Sequence, residues 1–205
     1  MVRTWFVGCG RIGFLGFLLA SGCYMGSARS VNPSNLAGDQ GWDLVDGVPD
    51  VRQIARRDCG AAALAMVLGY WGLPVTRDQI TAANLPAAEQ GIRAAVLRDF
   101  VRRQGLQAFV IQGQLVDLER EVQRHRPVLV GVMKSYGRTA FPHYEVVVGI
   151  NRRTRRVLTL DPASGPRVNS REGFTAEWAA AGQVTLIVLR DASAISKAQS
   201  PRAGL

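Results

Sequence analysis

The run Asp58-Cys59-Gly60-Ala61-Ala62-Ala63-Leu64-Ala65-Met66-Val67-Leu68-Gly69-Tyr70-Trp71 most constrains what this chain can fold into. After Asp58 it is apolar or small throughout, with Gly72 and Pro74 to stop it, so it reads as one helix that packs against other elements. Asp58 is placed to cap it, which makes Cys59 the first helical residue. At that position the unpaired backbone amides and the positive end of the helix dipole favour thiolate over thiol. Gly60 beside it leaves room for a substrate backbone.

The other two cysteines sharpen this reading. Arg3 and Arg11 precede a short apolar stretch, Ile12 to Ala20, and then Ala20-Ser21-Gly22-Cys23. That order is a secretory signal over residues 1–22, and the tetrapeptide resembles the lipobox of bacterial lipoproteins, with Cys23 as the lipid-bearing residue. Tyr24 follows where an aspartate commonly retains such proteins at an inner membrane, so the expected location is extracytoplasmic, on the outer membrane if there are two. Cys9 leaves with the signal. Only Cys59 remains in the mature domain, so no internal disulfide is expected there, and a lone thiol in an oxidising compartment is either buried or used.

Residues 23–47 lack an apolar period and are rich in small and polar types, so they are expected to be a flexible tether. The domain is expected over residues 48–190, with a disordered tail at 191–205. A 205-residue chain that is 47% hydrophobic and 20% charged has material for one such domain. Without residues 1–22 it keeps 23 basic and 16 acidic residues, a charge of +7. The arginines are scattered and no aromatic stripe interleaves them, so no nucleic acid is expected as a partner.

Two histidines are available as a base. His125 ends an amphipathic stretch, Leu115 to Arg124, where a histidine commonly meets the last helical carbonyls. His143 opens the β-branched run His143-Tyr144-Glu145-Val146-Val147-Val148-Gly149-Ile150 after a loop with Gly137 and Pro142, a usual place for a catalytic group. The run Val157-Leu158-Thr159-Leu160 follows a basic turn and should pair antiparallel with 144–150. In that hairpin His143 and Asp161 emerge at one edge. Helices are expected at 59–71, after Thr76, at 92–103, 115–124 and 174–180. Strands are expected at 107–111, 127–133, 143–150, 156–160 and 183–189. Helices first and an antiparallel meander after them make an α+β fold.

The stretch from Gln53 to Met66, together with Pro142-His143-Tyr144 and Asp161-Pro162-Ala163-Ser164-Gly165, resembles the bacteriocin-processing, double-glycine-leader peptidases. The likeness runs from about Val48 to Leu189, with Gln, Cys, His and Asp in the family's order. It implies a papain-like cysteine peptidase fold, with N-terminal helices packed on an antiparallel sheet. It also implies the site: Cys59 as nucleophile, His143 as base, Asp161 orienting the imidazole and Gln53 in the oxyanion hole. No metal or cofactor is required by that chemistry, and the partner is a peptide or protein substrate. Family members are commonly fused to an exporter, but no Walker-type Gly-rich loop occurs in this chain, so a secretion system would be a separate partner. A peptidase-like domain that binds peptides without cutting is the alternative function.

Overall fold

The computed structural model describes residues 24–36 and 38–190. The signal, Cys23 and the tail expected at 191–205 lie outside these residues. The described chain runs β1 (Arg29–Ser30), a 3-10 turn (Pro33–Leu36), β2 (Trp42–Leu44), α1 (Cys59–Tyr70), α2 (Arg77–Ala83), α3 (Ala87–Gln90), α4 (Ala94–Arg103) and β3 (Gln107–Gln112). It continues with α5 (Leu115–Gln123), β4 (Val128–Tyr136), β5 (Thr139–Asn151), β6 (Arg156–Asp161), β7 (Gly165–Ser170), α6 (Arg171–Ala180) and β8 (Val184–Leu189). The class is α+β. No helix among the described residues is long and apolar enough to cross a membrane.

One eight-stranded sheet organises the molecule, in the order β1-β7-β6-β5-β4-β8-β3, with β2 paired to β5 beside that path. Every pairing is antiparallel. The α1 helix, buried from Cys59 to Leu68, packs on β5 and β4. Being apolar on every side, it has no solvent face to offer and must sit inside. By contrast α4 and α5 are amphipathic and lay single faces, Leu97, Phe100 and Val101 or Leu118 and Val122, against the core. Phe174 and Trp178 of α6 are buried as well.

Three expectations are corrected here. Residues 24–47 do not form a free tether, because β1 covers the edge strand β7 and β2 joins β5 where β4 has ended, pairing Leu44 with Gly149. Ala28, Leu36 and Val45 of this segment are buried. Its polar composition hid its role, since two- and three-residue edge strands carry no detectable period. Second, no strand was expected between 160 and the helix at 174–180; with φ at +79°, Gly165 lets the chain reverse, and β7 returns along β6. Third, β5 starts four residues earlier than expected, so His143 lies inside a strand opposite Val132 and not at its mouth.

Candidate active site

The β5–β6 hairpin brings a histidine and a carboxylate together as its register requires. Val146 pairs with Leu160, so His143 and Asp161 extend past the same end of the ladder. Their contact is His143 Nε2 to Asp161 Oδ1, 2.7 Å, with both residues buried. The amide of Ala163 donates to the same carboxylate oxygen at 2.8 Å, and the Ser164 amide donates to the Asp161 carbonyl, so the turn after β6 holds the acid in place.

Cys59 comes from the start of α1, which packs against β5, and its sulfur is near enough to the same imidazole to favour its protonated form. With Nε2 engaged by Asp161, Nδ1 is the nitrogen left for sulfur. Burial works against a charged His143, but bonding and charge from Asp161 and Cys59 outweigh it and raise the imidazole to about 10. Burial likewise works against an ionised Asp161, and the bond from His143 overrides it, holding the carboxyl down at about 2. His143 is thus favoured in its protonated form between Asp161 and the Cys59 sulfur.

Gln53 reaches this site through its backbone, whose amide donates to the Pro162 carbonyl at 3.0 Å, one residue past Asp161. Its side-chain Nε2 donates to the Ala55 carbonyl at 3.2 Å. The loop between Gln53 and Cys59 is closed by Asp58, but not by helix capping. Asp58 makes no side-chain cap bond to α1. Instead its Oδ2 accepts the amides of Ile54 (3.1 Å) and Ala55 (3.2 Å) and lies 3.5 Å from Arg77 Nε. The carboxylate has turned back toward the preceding loop because two free amides and a guanidinium converge there.

Gly60 also differs from expectation. A Cβ there would lie 3.1 Å from the Tyr144 ring, so the space is filled by tyrosine and not held open for substrate. Burial first, and the Cys59 sulfur next, raise the Tyr144 hydroxyl to about 12, so it stays neutral beside Cys59. His125 lies away from these groups, with φ at +54° and Nδ1 3.3 Å from the Leu44 carbonyl of the N-terminal segment.

Two further charged residues escaped the sequence reading. Glu145, fully buried, pairs with Lys134 (Oε1 to Nζ, 2.6 Å), and atoms of His143, Glu145 and Asp161 all lie within 4.8 Å of one another. Three such ligand atoms resemble a metal cluster, but the cation in contact is the Lys134 ammonium. A charge within one apolar strand run, at Glu145, and another closing a second, at Lys134, were the signal that could have exposed them, since such charges need a partner once buried.

A thiol at a helix start, facing an imidazole and a carboxylate carried by an antiparallel hairpin, defines the papain-like cysteine peptidases. The chain belongs to the peptidase C39 family, whose model matches residues 48–193. Among curated relatives it is similar to the lactococcin-A transport/processing ATP-binding protein LcnC of Lactococcus lactis, at 28% identity over 62% of this chain and 17% of the relative. The chain therefore spans about a sixth of that protein's length. Its fold is similar to a C39-like peptidase of Bacillus anthracis, at 17% identity with TM-score 0.59, over 72% of this chain and 97% of the other. It also resembles the peptidase domain of Streptococcus ComA, at 23% identity with TM-score 0.56, over 71% and 100% of the two chains. A double glycine motif protease from an AMS/PCAT transporter, solved with its leader peptide, aligns at 23% identity with TM-score 0.54, over 73% and 94%.

Proposed function

We propose that this peptidase cuts a peptide or leader with Cys59 as nucleophile, His143 as general base and acid, Asp161 as the orienting group and Gln53 in the oxyanion hole. The observation that carries this reading is the 2.7 Å His143–Asp161 contact, with Cys59 at the start of the helix that packs on the same strand. The thiolate attacks the scissile carbonyl, and the imidazolium gives its proton to the leaving amine. His143 then takes a proton from the water that releases the acyl-enzyme. Charge on the carbonyl oxygen meets the Cys59 backbone N–H, which has no intrahelical partner, and the second N–H of the Gln53 amide, the first being held by Ala55.

The same reading places the protein outside the cytoplasm, anchored by lipid on Cys23. Tyr24 bonds Glu177, and the Met25 amide donates to the Ser135 carbonyl at 3.0 Å, so the two residues that follow the proposed anchor residue are bonded to the catalytic domain. A lipid there would hold the catalytic domain against the bilayer with no slack, suited to peptide substrates arriving from a separate secretion system.

Incubation of the full chain with double-glycine leader peptides and with unrelated peptides, followed by mass spectrometry, tests the chemistry. Cleavage is expected, with Cys59→Ala removing it entirely. Binding without cleavage by the wild type contradicts it and favours a recognition module. Labelled palmitate tests the anchor: incorporation is expected and should be lost in Cys23→Ala.

A further inference from the structure

Behind the His143–Asp161 pair runs a line of buried charge that the catalytic chemistry does not use. Lys134 of β4, 4% exposed, contacts Glu145 Oε1 of β5 at 2.6 Å and Glu177 Oε2 of α6 at 2.8 Å. The other oxygen of Glu177 accepts a hydrogen bond from the Tyr24 hydroxyl, and the Arg167 guanidinium stands 5.9 Å over the Tyr24 ring. Glu177 also borders a surface hollow lined by Met25, Ser27, Ser135 and Ala176. At the inner end Glu145 is wholly buried, and its Oε2 has no hydrogen-bond partner.

Stability does not account for this arrangement. Burying an ion pair costs desolvation that its attraction rarely exceeds, and an apolar pair of the same shape commonly does as well or better. Here the cost falls at Glu145, which precedes the buried run Val146-Val147-Val148 and pairs across the sheet with the buried Val130. Its position does account for it. Glu145 and Asp161 are both within reach of one imidazole. Unopposed, the two carboxylates would compete for His143 or share a proton. With Lys134 holding Glu145, Asp161 alone bonds the ring.

We infer that Glu145 and Lys134 are positioning residues for the catalytic pair: Glu145 supplies negative charge that sustains the His143 imidazolium, and Lys134 keeps Glu145 from displacing Asp161. The inference rests on the proposed Cys59–His143–Asp161 chemistry. The charged and titratable groups facing this region are Cys59 from α1, Asp161 from β6, Lys134 from β4, Glu177 from α6, Tyr24 from the N-terminal segment and Tyr144 beside the thiol. Burial opposes a charged Lys134, but Glu145 and Glu177 outweigh it and raise its pKa.

The test is the rate of Cys59 alkylation by iodoacetate in the full chain from pH 5 to 11. This anion is drawn to the imidazolium, so the rate falls as His143 loses its proton. In Glu145→Gln the fall should come about 1–3 pH units earlier, the effect of removing an opposite charge at this range. Lys134→Met/Glu145→Gln, which removes the pair together and leaves no orphaned charge at Glu145, should move it in the same direction by less. A wild-type fall that neither folded variant moves overturns the inference alone. A wild-type rate indifferent to His143→Ala overturns the catalytic reading and this inference with it.

Discussion

His143 and Asp161 tie their own ionisation to folding, and the sign for each is fixed by its direction of shift. His143 is raised from 6.5 to about 10, so its contribution is fully present below 6.5 and is lost as pH rises toward 10. Asp161 is lowered from 3.8 to about 2, so its contribution is present above 3.8 and is lost as pH falls toward 2. Thermal stability should therefore be level between about pH 4 and 6.5 and decline above it. Asp161→Asn should flatten the alkaline decline, with a loss of at least about 1–2 kcal/mol near neutral pH, or a few degrees in Tm. A melting series across pH reads this directly, and an alkaline decline unchanged in Asp161→Asn contradicts it. At this scale Gln53 came only through the family resemblance. Cys59, His143 and Asp161, which the structure brings together, were legible because each stands in a revealing setting: a thiol before an apolar helix, a histidine at the head of a β-branched run, an aspartate after a strand. Tyr144, Glu145 and Lys134 were not, because what singles them out is proximity across strands.

Secondary structure followed the sequence where periodicity was long. The α1, α4 and α5 helices and the strands β3 to β6 and β8 all lie within a few residues of their expected places, because long apolar patterns admit few alternatives. The short pieces failed. The β1 and β2 strands have two and three residues, and β7, Gly165-Pro166-Arg167-Val168-Asn169-Ser170, holds a single β-branched apolar residue. They exist because the sheet needs them: β2 takes up the β5 edge beyond β4, where Gly149 permits close approach by the Leu44 side chain and Leu158. A chain starting at Val48 would therefore expose the β5 and β7 edges and uncover buried apolar side chains. We expect it to melt at least about 5 °C below a chain starting at Tyr24, as loss of a few buried aliphatic contacts implies. Differential scanning calorimetry of the two checks this, and equal melting would mean that the segment is dispensable.

For the whole molecule, the sheet and its N-terminal strap form one body in which the helix carrying the thiol and the hairpin carrying its partners are joined through buried contacts. The central claim is that this body makes Cys59 a thiolate by holding it against an imidazolium. The most direct measurement is the rate of Cys59 alkylation by iodoacetamide as a function of pH, in the full chain and in His143→Ala. Rapid reaction well below the pH of a free thiol, about 8.5, is predicted for the wild type, and its disappearance in His143→Ala. Equal rates in the two proteins, rising only where an ordinary thiol ionises, would contradict the account.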